Sequence, residues 1–84
     1  MGTEMNNKQK LYQSFANALG IDLGSVNDEL AYQGIKQWDS ISHMMLISII
    51  EEDFDISLDT DDVIELSSVG KAIEILKKYG IDFE

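Results

Sequence analysis

The chain has 84 residues, with sixteen acids, six lysines, no arginine and no cysteine, and its net charge at pH 7 is −10. The missing cysteines exclude disulfides, thiolate metal sites and a cysteine nucleophile, and the negative charge argues against nucleic acids and anionic membranes as partners. We expect a single domain over residues 1–84. Because the chain has neither a signal core at its start nor an apolar run of about 20 residues, we also expect a cytoplasmic protein. We further expect a monomer.

The first predicted element is a helix from about Met5 to Leu19. Gly20 is placed to end this helix in a left-handed turn. Its apolar residues recur at helical spacing and are Leu11, Phe15, Ala18 and Leu19. From Ile21 to Asp39 the periodicity is lost, which predicts one long loop. Scattered apolar side chains are expected to pin this loop to the core, namely Leu23, Val26, Leu30 and Ile35.

A second helix is predicted to begin at Asp39 or Ser40 and to run to about Asp53, and either of the first two side chains can cap it. Apolar residues cover almost its whole circumference: Ile41, Met44, Met45, Leu46, Ile47, Ile49 and Ile50. A helix of this kind is central in a fold or touches a partner. In so small a protein part of this surface must stay exposed, and we treat that strip as a candidate contact site.

Two further helices complete the pattern. A short one is capped by Asp59 or Thr60, and a final one is capped by Ser67 or Ser68 and ended by Gly80. The final helix has an apolar stripe formed by Val69, Ala72, Ile73 and Leu76. The predicted fold is all-α, a small four-helix bundle of three longer helices and one short one, with a long loop between helices one and two.

Ser40 is the most conspicuous candidate for chemistry, because it lies where the polar loop gives way to the apolar second helix. His43 is the only histidine, and no Gly-x-Ser-x-Gly elbow surrounds the serine. Both observations disfavour hydrolase chemistry, so we predict no catalytic residue. The expected chemistry is something done to this serine by another enzyme.

Eight acids are concentrated between Glu51 and Glu65, and no lysine occurs among them. A calcium loop that starts at Asp53 places Leu58 where glycine makes the turn and Ile64 where a bidentate glutamate belongs. The template fails, so we predict no metal site and keep a calcium-responsive switch only as a lesser alternative. The acids are expected to form a solvated face that keeps the protein soluble, and the alternative is a docking role toward basic protein partners.

Three blocks in order closely resemble the acyl carrier protein family. They are Asp39-Ser40-Ile41, Glu51-Glu52-Asp53-Phe54-Asp55-Ile56 and Leu66-Ser67-Ser68-Val69-Gly70-Lys71-Ala72-Ile73. The resemblance covers about the whole chain and implies a stand-alone carrier that is not itself an enzyme. It further implies that a phosphopantetheinyl transferase, using coenzyme A and magnesium, attaches 4'-phosphopantetheine to the Ser40 hydroxyl. The thiol of that arm then carries acyl or aminoacyl groups as thioesters, and Asp39 orients the transferase and its metal.

The chain departs from the familiar fatty-acid carriers in two places. Ser42, Met45 and Ser48 stand where those carriers have acids, and Trp38 stands where they usually have glycine. We therefore expect a specialised pathway and a partner surface that is apolar beside Ser40 and acidic only lower down. The expected contacts are Trp38, Ile41, Met45, Ile47, Glu51 and Glu52. Trp38 also has a plainer interpretation as an anchor that holds the loop to the core.

The expected partners beyond the transferase are acyl- or aminoacyl-activating and transferring enzymes with basic or apolar docking surfaces. A second interpretation of the whole chain is an acidic helical interaction module that is never modified. In that module Asp39 and Ser40 serve only as helix caps. The carried group stays open between fatty acyl, polyketide and aminoacyl.

Overall fold

The computed structural model describes residues 6–83 and forms four α-helices in that range. They are Asn7–Leu19 (α1), Ser40–Phe54 (α2), Thr60–Glu65 (α3) and Val69–Lys78 (α4). The described residues form no strand, only an isolated antiparallel bridge between Ala31 and Ser68. The predicted all-α fold is confirmed, although the predicted start of α1 at Met5 lies outside the described residues. No helix in residues 6–83 is long and apolar enough to span a membrane.

Local hydrogen bonds fix both ends of α1. The Asn6 side chain accepts the Gln9 amide at 2.8 Å, and the Gln9 side chain accepts the Asn6 amide at 3.4 Å, which together form a capping box. Gly20 ends the helix with a φ of 68°, and its amide donates to the Ala16 carbonyl at 2.9 Å. A positive φ costs glycine little, so the predicted end at Leu19 is confirmed.

The structure decides between the alternative caps. Asp39 caps α2, since its Oδ1 accepts the Ser42 amide at 2.9 Å. Ser68 caps α4, since its Oγ accepts the Lys71 amide at 3.0 Å. Asp59 precedes α3, but its side chain makes no capping bond. Helix α3 is therefore the helix with the weakest local support.

The core lies between α1, α2 and α4, and α1 packs most extensively against α2. Its largest fully buried apolar side chains are Phe15, Trp38, Leu11, Leu46, Ile50, Leu66, Leu76 and Val69. The predicted stripe of α4 is wrong at one position, because Ile75 is buried and Ile73 only half-buried. Ile75 follows Ala72 by three residues and so lies on the same face of the helix. A polar contact adds to this packing, with the buried Ser14 hydroxyl 2.5 Å from the Asp53 carboxylate.

The long first connection contains more structure than the sequence predicts. Residues Leu23–Ser25 form a 3-10 turn, Val26 is buried, and Leu30 and Ile35 are half-buried. Leu23 is 45% exposed, so its predicted role as a core anchor is wrong. Its place in the turn directs the side chain away from the bundle.

Backbone hydrogen bonds tie this loop to the beginning of α4. They join Tyr32 N to Ser67 O at 2.9 Å, Val69 N to Leu30 O at 3.0 Å and Gly70 N to Asp28 O at 3.0 Å. An exposed connection without such bonds would be mobile. These bonds instead hold Tyr32 in a defined place beside the start of α2.

Candidate functional site

Ser40 is exposed and is the first residue of α2. Its neighbour Asp39 supplies both capping contacts, because the carboxylate accepts the Ser42 amide and the Asp39 carbonyl accepts the His43 amide at 2.8 Å. The bond from the Ser42 amide holds the pKa of the Asp39 carboxyl below its usual range, so this side chain is ionised at neutral pH. Because Asp39 caps the helix, the Ser40 hydroxyl is not needed for that purpose.

A tyrosine that the sequence analysis missed contacts this serine. The Tyr32 hydroxyl lies 2.9 Å from Ser40 Oγ. The Tyr32 ring lies edge-on to two other rings, with its centroid 5.4 Å from His43 and 6.2 Å from Trp38. Nothing in the local spacing reveals this contact, because it depends on how the loop folds back toward α4.

Trp38 is fully buried beneath this group. Its ring packs edge-on against Phe15 at a centroid distance of 5.2 Å, and its indole N–H donates to His43 Nδ1 at 3.0 Å. The interpretation of Trp38 as an anchor between the loop and the core is confirmed. Its expected role as a partner contact is wrong, because a side chain with no exposed surface cannot meet another protein.

His43 connects α2 with α3. The ring accepts from the Trp38 indole at Nδ1, and its Nε2 lies 2.9 Å from the Val63 carbonyl oxygen. An acceptor at Nδ1 and a carbonyl beside Nε2 together require the neutral ring with its proton on Nε2. The ring is half-buried, and its contact with Trp38 was not predicted. The available signal was the tryptophan, because a buried indole N–H needs an acceptor.

The exposed face of α2 beside Ser40 is apolar. Ile41 is 75% exposed, Met44 59% and Met45 52%. The prediction of an uncovered apolar strip on this helix is confirmed, and Met44 belongs to it although it was not among the expected contacts. Ile47 is buried because it shares a face with Ile50, so its expected role as a partner contact is wrong.

The acids are divided between the interior and the surface. Glu51 is half-buried and accepts the Leu58 amide at 2.8 Å, while Asp53 and Asp62 accept side-chain hydroxyls at their carboxylates. The exposed members of the stretch are Glu52, Asp55, Asp59, Asp61 and Glu65. Of the two expected acidic contacts, Glu52 is thus open to solvent, and Glu51 is partly engaged within the chain.

A cavity of about 220 Å³ opens between the loop, α2 and α3. It is lined by Tyr32, His43, Val63, Ile64, Leu66 and Ser67. Tyr32 belongs both to this cavity and to the contact with Ser40. The serine therefore lies at the edge of a concave, mostly apolar surface.

The serine hydroxyl is suited to covalent attachment of an arm that ends in a phosphate. It is exposed, it is not used for capping, and it lies at the N-terminus of a 15-residue helix, where the helix dipole favours a negative group. A small helical bundle that presents such a serine at the start of a long helix has the architecture of a carrier domain.

Comparison with known proteins agrees with this description. Residues 9–76 match a family model described as a phosphopantetheine attachment site. The chain is 34% identical over 73 residues to an acyl carrier protein of Tropheryma whipplei, with 82% of this chain and 89% of the relative aligned. It is 30% identical over 71 residues to one of Clostridium acetobutylicum (84% and 92% aligned) and 26% identical over 76 residues to one of Chlorobium phaeobacteroides (90% and 97% aligned).

The chain belongs to the acyl carrier protein family. Members of this family are carrier proteins and not enzymes, and they bear a covalent 4'-phosphopantetheine group. They work with a phosphopantetheinyl transferase and with biosynthetic enzymes. The family and the prosthetic group expected from the resemblance are confirmed.

Proposed function

We propose that this chain holds acyl or aminoacyl intermediates as thioesters on a 4'-phosphopantetheine arm attached to Ser40. The observation that carries the proposal is the exposed Ser40 hydroxyl at the first position of α2, inside the matched range 9–76. When bound, the arm supplies the thiol that this cysteine-free chain lacks. The protein itself presents the hydroxyl and the surface that partner enzymes meet.

The other serines provide a useful contrast. Ser14 is buried and bonded to Asp53, and Ser68 is used as a helix cap. Ser48 is exposed but lies in the middle of α2, away from the helix N-terminus that favours an anionic phosphodiester. Of these serines, Ser40 alone combines exposure with a helix N-terminus.

Asp39 is the second residue that we place in the modification reaction. Its carboxylate is exposed and ionised, directly before the serine, and it is held in position by the Ser42 amide. An ordered carboxylate at this point is suited to orient the transferase and its magnesium ion. The same side chain is also the helix cap, so Asp39→Asn, which retains an acceptor oxygen, is the variant that separates the two roles.

Intact-mass analysis tests the attachment. The purified chain is incubated with coenzyme A, magnesium and a broad-specificity phosphopantetheinyl transferase, next to Ser40→Ala and the control Ser48→Ala. We expect the wild type and Ser48→Ala to gain one phosphopantetheine group and Ser40→Ala to gain none. A wild type without added mass, or an equal gain in Ser40→Ala, would contradict the proposal and favour the unmodified interaction module.

We propose further that the exposed face of α2 is the partner surface and that its polarity changes along the helix. Ile41, Met44 and Met45 lie near the modified end, and the exposed Glu52 lies on the same face toward the other end. At 1.5 Å per residue, Ile41 and Glu52 are separated by about 16 Å along the axis. The matching partner has an apolar patch close to its arm entrance and basic groups about that far away.

This surface favours a specialised pathway, because Ser42, Met45 and Ser48 stand where fatty-acid carriers present acids to basic enzymes. Met45→Glu should raise the KM of the enzyme that charges the arm, whereas Met45→Leu should leave it near the wild-type value. Glu52→Gln should mainly reduce the association rate at low salt, since a rim charge steers the encounter. An unchanged KM in Met45→Glu would remove the apolar patch from the partner surface.

A further inference from the structure

The Tyr32 hydroxyl is the one side-chain partner of Ser40 Oγ among the hydrogen bonds of the described residues, at 2.9 Å. We propose that Tyr32 is a positioning residue for the attached arm. Its phenol shares a hydrogen bond with the Ser40 hydroxyl before modification and donates to the phosphodiester afterwards. The inference rests on the proposed attachment at Ser40 and adds to it a phosphate-binding residue from the loop.

Tyr32 is fixed by its backbone as well as by its ring. Its amide donates to the Ser67 carbonyl at 2.9 Å, and the adjacent Ala31 forms a bridge with Ser68. The side chain is half-buried, so much of its rotamer freedom is already lost in the folded chain. A donor held in this way binds a ligand group with a smaller entropy cost than a mobile surface side chain.

The surrounding rings restrict the phenol further. Trp38 and His43 are stacked at a centroid distance of 6.0 Å and an angle of 21°, and Tyr32 lies edge-on to both. The two rings are themselves joined by the indole hydrogen bond, and His43 Nε2 contacts the Val63 carbonyl. The rings thus form a rigid support that directs the Tyr32 hydroxyl toward the start of α2.

The chemistry fixes the direction of the hydrogen bond after modification. Once Ser40 Oγ is esterified it has no proton, so its oxygen and the phosphate oxygens only accept, and Tyr32 must donate. A donor bonded to an ionised oxygen makes a shorter and stronger bond than a neutral pair. Here the phosphodiester adds negative charge to a chain of net charge −10, next to the ionised Asp39. A hydrogen bond from a neutral donor offsets part of the resulting electrostatic repulsion.

The test compares apo and modified forms of the wild type, Tyr32→Phe and the control Tyr12→Phe. Tyr12→Phe removes a phenol that bonds to Asp28, outside the ring group described above. We expect attachment of the arm to stabilise the wild type and Tyr12→Phe more than Tyr32→Phe. The decrease in the unfolding equilibrium constant on attachment should be about 2 to 10 times larger in the first two proteins than in Tyr32→Phe. A hydroxyl with a purely structural role would change the apo and modified forms equally.

Phosphorus NMR of the modified proteins gives a direct second measurement. The phosphodiester resonance should move in Tyr32→Phe and remain at the wild-type position in Tyr12→Phe. Lys36→Gln tests the competing idea of a cationic ligand, because Lys36 and Asp39 line the same open groove of the loop. A resonance that moves in Lys36→Gln and not in Tyr32→Phe would overturn the inference.

The outcomes separate this inference from the proposed function. If no variant gains the arm by mass, the attachment itself fails. If all variants are modified normally, and Tyr32→Phe matches Tyr12→Phe in both stability and phosphorus resonance, the attachment stands and the role of Tyr32 is wrong. If Tyr32→Phe does not fold, the role of Tyr32 is tested on the modified wild type by its NOE spectrum. Cross-peaks between the Tyr32 ring and the first methylene of the arm would support the role, and their absence would contradict it.

Discussion

Helix α3 is held on its two sides by contacts of different kinds. Toward α2, His43 Nε2 bonds to the Val63 carbonyl in a neutral, half-buried contact. Toward α4, the Asp62 carboxylate accepts from Lys78 Nζ at 2.8 Å and from the Tyr79 hydroxyl at 2.6 Å. A six-residue helix is not stable in isolation, so these contacts determine where α3 lies and how wide the adjacent cavity is.

The charged side has a clear electrostatic signature. The bond from Lys78, followed by that from Tyr79, holds the pKa of the Asp62 carboxyl below its usual range. The same carboxylate raises the pKa of Lys78 and of the Tyr79 hydroxyl. The α4 side of α3 therefore depends on an ionised carboxylate, whereas the α2 side depends on a tryptophan that positions a neutral histidine.

The largest change in stability is expected from His43→Phe. This variant keeps an aromatic ring but leaves the buried Trp38 indole N–H and the Val63 carbonyl without their partner. Unsatisfied groups of this kind should lower the free energy of unfolding by about 1–3 kcal/mol. Urea denaturation measures this loss, and the exposed neighbour Met44→Ala should stay within about 0.5 kcal/mol of the wild type. Equal stability of the two variants would show that the histidine bridge does not fasten α3.

A smaller and pH-dependent change is expected from Asp62→Asn. The folded-state pKa of Asp62 is depressed, so its contribution is fully present above the unfolded value of about 3.8 and is lost as the pH falls through the folded value. The difference in urea midpoint between wild type and variant should therefore be clear at pH 7 and shrink toward pH 3. Lys78 is 61% exposed at its side chain, so salt should also reduce the difference.

The control for this titration is Asp61→Asn, which changes an exposed acid on the same helix. It removes the same formal charge from α3. If its midpoint follows that of Asp62→Asn at every pH, general charge repulsion and not the contact with α4 explains the effect.

The smallest change in stability is expected from Ser40→Ala, because this serine takes part in none of the contacts that hold α3 against α2 and α4. Asp39 retains the cap, so the free energy of unfolding should stay within about 0.5 kcal/mol of the wild type. Ser68→Ala removes a true cap and should cost about 0.5–2 kcal/mol. A loss in Ser40→Ala as large as that in Ser68→Ala would assign the serine a capping role after all.

The sequence was sufficient for the helices whose signals are local. The apolar spacing of α1, the left-handed Gly20 and the polar caps before α2 and α4 act within a few residues of the elements that they define. The uncovered apolar strip on α2 also followed from the sequence, because one helix in a small bundle cannot be covered on all sides.

The rest depends on distant contacts. Tyr32 reaches Ser40 because the loop is bonded to the residues before and within α4, and the sequence spacing contains no trace of this. The anchoring role of Trp38 was predicted, but its hydrogen bond to His43 was not, and Trp38 was wrongly included among the partner contacts. The support around the serine is therefore a tertiary feature, whereas the serine itself is marked by its local sequence.

Attachment at Ser40 is tested most directly by locating the prosthetic group within the modified protein. No lysine or arginine lies between Lys36 and Lys71, so cleavage after lysine yields one peptide of residues 37–71 with six serines, Ser40, Ser42, Ser48, Ser57, Ser67 and Ser68. Tandem mass spectrometry of this peptide, prepared from protein of the native cell, should place phosphopantetheine on Ser40. The group on another serine, or its absence from the peptide, would contradict the account.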